Sequence, residues 1–163
     1  MTTAVYAGSF DPMTRGHASV VVMAAKLFHH VRVLVAENPS KQPLFAATER
    51  VRLARATLRE VPNVSIAHTR GLVVEHARRI GATHLLRGVR DLADVGSELE
   101  LAAANQALAP ELATVFLPAQ AELAVVSSSE LKRRLVAGLG VSEFCVVEVE
   151  RALRRRISQQ GAA

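Results

Sequence analysis

The chain has 163 residues, half of them apolar, with a formal charge of +5, one cysteine and no tryptophan. That size fits one domain over residues 1–163 with an aliphatic core. The composition excludes a disulfide scaffold, and no apolar run approaches the roughly 20 residues of a membrane-spanning helix. The N-terminus lacks a basic region followed by a long apolar stretch, so no signal peptide is read and a cytoplasmic protein is expected. The charge suits an anionic ligand. Stacking aromatics are nearly absent, so small anions fit better than nucleic acid, and neither nucleic acid nor membrane is expected as a partner.

Strand and helix patterns alternate along the chain. Val5 to Gly8 reads as the first strand and His17 to about Phe28 as the first helix, with Val20, Ala24, Leu27 and Phe28 on one apolar stripe. Between them lies Gly8-Ser9-Phe10-Asp11-Pro12-Met13-Thr14-Arg15-Gly16-His17. Gly8 lets a ligand approach the backbone, Asp11-Pro12 predicts a turn, and Thr14 is placed to cap the helix or touch a ligand. Gly16 clears space beside the first turn. His17 is then aimed at whatever anion the free N–H groups of the helix start hold.

Val31 to Ala36 reads as strand two, and Thr48 as the opening of helix two. Val64 to Ala67 reads as strand three, and Val73-Val74 leads into a helix stopped at Gly81. Thr83 to Leu86 reads as strand four, Glu98 to Leu108 as an alanine-rich helix, and Thr114 to Leu117 as strand five. Ser127 and Glu130 match a capping box that starts another helix. A last helix begins near Glu143 or Phe144, and Gln159 to Ala163 reads as a frayed tail. The alternation predicts an α/β fold: a doubly wound, five-stranded parallel sheet with helices on both faces.

In such a sheet the loops after the strands open at one edge. Here those loops carry Ser9 and His17, Lys41, Arg87 and Arg90, and the serine run 127–129, with apolar Leu72 and Val73 after strand three. A cationic rim with one apolar wall suits a polyphosphate beside a partly apolar chain.

Thr14-Arg15-Gly16-His17 resembles the T/H-x-G-H signature of the nucleotidyltransferase superfamily. The fuller string from Gly8 to His17 resembles that of the bacterial phosphopantetheine adenylyltransferases. So do Pro39 to Phe45, Leu86 to Arg90 with Asp94 and Glu98, and Val126 to Ser129 with Lys132, in the same order and at similar spacing. The resemblance implies a Rossmann-like nucleotidyltransferase fold and transfer of the adenylyl group of ATP to the 4′-phosphate of phosphopantetheine, giving dephospho-coenzyme A and pyrophosphate. It implies that Ser9, Lys41, Val73 and Arg87 hold phosphopantetheine, with Leu72 beside Val73. It implies that Ser9, Phe10, His17, Gly88, Val89, Arg90, Glu98 and the stretch Leu123, Ala124, Val125, Val126, Ser127, Ser128 and Ser129 hold ATP. His17 matches the residue that stabilises the transition state. Mg²⁺ accompanying ATP, a homohexamer, and coenzyme A as a feedback ligand are further implications. Leu123 stands where the family often carries an aromatic residue, Ser97 where it often carries a large one, and Gln106 where arginine is common.

The reaction so implied is in-line attack of a phosphate oxygen on the α-phosphorus, without a general base or a covalent enzyme intermediate. His17, Lys41 and Arg90 are the candidates for offsetting charge on the α-phosphate. The other five histidines, His29, His30, His68, His76 and His84, read as structural, and no ligand spacing for a protein-bound metal is present. The bland reading of Arg87 and Arg90 is a salt bridge with Asp91 or Asp94. Two other functions are weighed: a nucleotidyltransferase with another acceptor or a cytidine nucleotide, and a nucleotide-binding regulator without catalysis.

Overall fold

The computed structural model describes residues 1–40 and 42–161; Lys41 and the last two positions of the expected tail lie outside the described residues. Five strands, β1 (Thr3–Gly8), β2 (His30–Ala36), β3 (Val64–Thr69), β4 (His84–Val89) and β5 (Ala113–Pro118), pair in parallel in the order β3-β2-β1-β4-β5. The helices are α1 (Arg15–Leu27), α2 (Ala47–Thr57), α3 (Val73–Arg79), α4 (Leu92–Leu108), α5 (Ala121–Ala124), α6 (Ser128–Val136) and α7 (Val147–Gly161).

The central strand shows why both faces must be covered. Ala4 and Tyr6 pack with α1 and α2 residues such as Val20, Val21, Val51 and Ala54. Val5 and Ala7 point the other way, to Val74 and Ala77 of α3 and to Leu112. This is the period-two alternation of a strand buried on both sides. A third cluster joins Phe45 and Leu53 to Leu131 of α6 and to Val149 and Leu153 of α7. The chain winds outward from β1 through β2 to β3, then returns to lay β4 against the other edge of β1. That reversal opens a crevice beyond the carboxyl ends of β1 and β4.

The doubly wound parallel sheet is as expected; several boundaries are not. Helix two is entered through Ala46 rather than Thr48: the Glu49 carboxylate accepts from the Ala46 N–H at 3.0 Å, a cap supplied from inside the helix. The alanine-rich helix begins at Leu92 instead of Glu98, because Asp91 accepts from the N–H groups of Ala93 (2.9 Å) and Asp94 (3.1 Å). Ser127 caps α6 through the Glu130 N–H at 3.1 Å, but the reciprocal half of the box is missing, since the Glu130 carboxylate takes Arg133 at 2.8 Å. The last helix starts later, at Val147, and continues through Gly161, so the described part of the expected tail is helical. β2 begins one residue earlier than read, at His30. Gly81, at φ +65°, stops α3 with a left-handed turn as read.

Candidate active site

The crevice holds two neighbouring cavities. The first, about 310 Å³, lies over the ends of β1 and β4 and is lined by Ser9, Phe10, His17, Arg87, Gly88, Arg90, Glu98, Leu123, Ala124 and Val126 to Ser129. The second, about 780 Å³, is lined by Glu37 to Pro39, Gln42, Pro43, Arg50, Arg70 and Lys132. Ser9, Ser128 and Ser129 border both.

The first turn of α1 sets the state of His17. Thr14 is the N-cap in extended conformation, and its side chain accepts from the His17 N–H at 3.4 Å. In return His17 Nδ1 accepts the Thr14 N–H at 3.1 Å. The imidazole thus takes the place of the Glu or Gln of a capping box. Because Nδ1 accepts a backbone N–H, the ring proton sits on Nε2. Desolvation, with the Arg90 charge as the smaller cause, pushes the imidazole pKa down to about 4. His17 is therefore a neutral Nε2–H donor at pH 7, not one of a set of positive groups. Phe10 stands edge-on to the imidazole with ring centroids 5.2 Å apart, and edge-on to Tyr6 at 5.3 Å.

The glycines answer to packing. At Gly8 the missing Cβ makes room for the Phe10 ring, which it would meet at 2.9 Å, and Gly8 also lines the first cavity. Phe10 itself sits at φ 43°, a left-handed backbone that costs about 1–3 kcal/mol for such a side chain. At Gly16 a Cβ would lie 2.8 Å from the Leu123 carbonyl oxygen, so the close approach of α1 to the 121–126 segment requires glycine. At Gly88 it would lie 2.8 Å from the Tyr6 hydroxyl.

The rim is less cationic than the loop composition implied. Arg87 Nε is paired with Glu98, and both side chains are largely buried. Arg90 makes a two-pronged pair with Asp94 at 2.7 and 2.8 Å, which holds that carboxyl below the usual carboxylate range. The bland reading of these arginines is thus partly met, with α4 supplying both acids and Asp91 used as a helix cap. A single pair of this exposed kind is worth under about 1 kcal/mol, so Arg90 is readily re-paired by a phosphate, which binds guanidinium two-pronged as well.

Not every expected residue converges. Val89 and Val125 border neither cavity; Val125 is exposed. Leu72 caps α3 and is exposed, while Val73 packs on the α3 face of the core, so neither borders these cavities. Lys41 lies outside the described residues.

Sequence reasoning missed a buried polar set beneath Ser9. Asp11, read as a turn former, accepts the N–H groups of Leu44 (2.8 Å) and Phe45 (2.9 Å) and the ammonium of Lys132 (2.9 Å). Arg50, 3% exposed, donates to the Ser9 carbonyl at 2.8 Å. One signal existed: Arg50 stands four residues before Ala54, on the apolar face of α2, where a charge needs a buried partner. Tyr6 also lines the cavity, and burial raises its phenol pKa so that it stays protonated.

An open α/β sheet with glycine-tight turns, a helix-start histidine and arginines at its switch point defines a nucleotide-handling enzyme class. Comparison with known proteins agrees. The cytidylyltransferase-like family profile matches residues 5–134. A phosphopantetheine adenylyltransferase from Desulforudis audaxviator is 42% identical over 161 residues, covering 99% of both chains. Another from Methylococcus capsulatus is 41% identical over 159 residues, 98% of both. In structure, a candidate nicotinate-nucleotide adenylyltransferase from Vibrio parahaemolyticus superposes with TM-score 0.70 at 18% identity, over 95% of this chain and 93% of that one. A lipopolysaccharide core biosynthesis protein from Thermoplasma volcanium gives 0.53 at 21% identity, over 74% of this chain and 97% of its own; both likenesses concern the fold. The chain belongs to the cytidylyltransferase-like nucleotidyltransferases and, within them, to the phosphopantetheine adenylyltransferase family.

Proposed function

We propose that this chain joins ATP to 4′-phosphopantetheine. A terminal oxygen of the 4′-phosphate attacks the α-phosphorus. The new P–O bond forms as the bond to the β-phosphate bridging oxygen breaks, and pyrophosphate leaves with that electron pair. The products are dephospho-coenzyme A and pyrophosphate. The observation that carries this is the convergence of His17, Arg87 and Arg90 with the starts of α1 and α6 on one cavity at the sheet's switch point.

The nucleophile is already a phosphate anion, so the protein's task is to bring two anions into line and to stabilise the pentacovalent phosphorus. The neutral Nε2–H of His17 donates to an α-phosphate oxygen as charge grows there, and Arg90 exchanges Asp94 for phosphate. Ser9, Phe10, Gly88, Arg90, Glu98, Leu123, Ala124 and the run Val126 to Ser129, which border the first cavity, hold the nucleotide. Ser9, Lys41 and Arg87 hold the acceptor. Mg²⁺ enters with ATP as part of the substrate: among the described residues no group of three His, Cys, Asp or Glu could hold it, and Asp94 and Glu98 are paired with arginines.

Coenzyme A shares the acceptor's arm and competes for its site in this reading. A homohexamer is part of it too, supported by α4, which has no buried residue yet carries exposed Leu92, Leu99, Leu101 and Leu108. So is a cytoplasmic location; among the described residues no helix is long and apolar enough to cross a membrane.

The test is pyrophosphate release from ATP or CTP with phosphopantetheine or pantetheine as acceptor, and the mass of the product. Release with ATP and phosphopantetheine alone supports the proposal. Preference for CTP, or binding without turnover, overturns it.

A further inference from the structure

The three segments around Ser9 are joined by one ion pair. Asp11 is 8% exposed and stands at the turn after Ser9. One of its oxygens accepts the Phe45 N–H; the other accepts both the Leu44 N–H and Lys132 Nζ. Lys132 projects from α6, whose first residues Ser128 and Ser129 border both cavities. A second tie runs in parallel: Ser128 Oγ donates to the Pro12 carbonyl at 2.8 Å.

Among the described residues of the loop from Glu37 to Ala46, the ties to the rest of the chain gather at the two ends, with Glu37 also facing His68 at 3.2 Å and Arg70 at 3.5 Å. Its upstream end is fixed where the Glu37 N–H donates to the Thr69 carbonyl at 2.9 Å. Asn38 bonds within the loop, to the N–H and hydroxyl of Ser40. Residues 38–40, 42 and 43 are exposed. The downstream end is held twice: Asp11 accepts from the N–H groups of Leu44 and Phe45, and the buried Phe45 side chain belongs to the cluster with Leu53 and Leu131 of α6. This loop walls the second cavity, while the α6 start walls both.

We propose that Asp11 and Lys132 are positioning residues that couple the two substrates: the pair transmits nucleotide occupancy at the start of α6 to Leu44 and Phe45 on the acceptor side. A buried carboxylate left without its cation is strongly destabilised, so Asp11 follows Lys132 when α6 shifts, and the Leu44 and Phe45 N–H groups follow Asp11. Coupling of this kind is reciprocal: each ligand tightens the other by the same factor. The pair's position, in a cavity wall with Lys132 partly open to solvent, makes it responsive to what fills the site. The inference rests on the adenylyl-transfer reading and adds to it a route between the two half-sites.

The test is calorimetric titration of the full chain with a non-hydrolysable ATP analogue and with phosphopantetheine, each alone and in the presence of the other. The wild type is expected to show reciprocal synergy. Lys132→Met should reduce the synergy factor by about fivefold or more, within the range of site-to-site coupling, while nucleotide affinity alone changes by less than about threefold. Lys132→Arg should restore it. Asp11→Asn should act on the same coupling, and the Asp11→Asn/Lys132→Met double variant should lose no more than the worse single, as residues acting as one unit do. Melting temperatures check that each variant folds; if either single variant does not, the Asp11→Asn/Lys132→Met double variant, which removes both charges and so leaves no buried carboxylate without its cation, carries the test and should likewise lose the synergy, while unchanged synergy in it overturns the inference. Absence of synergy in the wild type overturns the inference. So does unchanged synergy in Lys132→Met, or loss of nucleotide affinity to the same extent with and without acceptor, which would make Lys132 a direct phosphate contact. A wild type that binds neither ligand, or binds without releasing pyrophosphate, defeats the functional reading itself. An active wild type with an indifferent Lys132→Met defeats only the coupling.

Discussion

Replacing His17 separates its two jobs. Its Nδ1 closes the capping interaction with the Thr14 N–H, and in the proposed reaction its Nε2–H meets the substrate in the cavity that His17 lines. His17→Ala removes both. The freed Thr14 N–H belongs to a residue only 2% exposed, so its loss of partner destabilises the fold by about 1–3 kcal/mol. At about 2–4 °C per kcal/mol for a chain of this size, the melting temperature should fall measurably. Loss of a donor aimed at transition-state charge should lower kcat by about 10²–10³. His17→Gln divides the two effects, because glutamine at the third helical position reaches back to the cap N–H. That variant should regain the melting temperature but not the rate.

The imidazole pKa supplies a second readout. The folded value of about 4 lies below the ordinary 6.5, so between these values the unfolded chain binds more protons. The contribution, at most about 3 kcal/mol from the shift, is present in full above pH 6.5 and is lost as pH falls through 4. Denaturant unfolding from pH 7 to 4 should show a steeper loss of stability in the wild type than in His17→Gln. Steady-state pyrophosphate assays give kcat and KM for each variant. A kcat in His17→Ala within threefold of the wild type, with KM for ATP raised, would refute the argument and make His17 a ground-state contact.

Gly16→Ala should push the 121–126 segment away from α1, destabilise the protein by about 1–3 kcal/mol as overpacking does, and weaken ATP binding, read by calorimetry; unchanged affinity would show the segment is not part of the nucleotide site. Glu98→Gln leaves the largely buried Arg87 without its carboxylate and should lower stability by a few kcal/mol, about the cost of breaking a buried pair, with acceptor KM raised in the same assay. Asp94→Asn breaks an exposed pair worth about 0.3–0.5 kcal/mol and should barely move the melting temperature, whereas Arg90→Ala should depress turnover and Arg90→Lys should fail to rescue it, because lysine lacks the two-pronged geometry.

The sheet was legible because its strands are short apolar runs between polar loops, and that signal is local. The Thr14 cap was legible for the same reason, since a helix cap spans three residues, whereas the return bond from the Thr14 N–H to His17 Nδ1 was not read. The start of α4 was missed because Leu92 to Ser97 carries no clean apolar stripe; α4 buries no residue at all. The short α5 gave no period to read, and Asp91 acts through its own neighbours in a pattern that also fits a plain turn.

Composition and spacing alone determined the alternation of strands and helices, the doubly wound class, and the convergence of loops one, four and five on a single edge, because each follows from backbone periodicity and nearest-neighbour chemistry. Only the tertiary structure decided the charge of His17, the partners of Arg87 and Arg90, and the seat of Asp11 beneath Ser9. Those depend on desolvation and on contacts between residues as far apart as 11 and 132. No local pattern encodes the distance between two side chains once the sheet has brought them together.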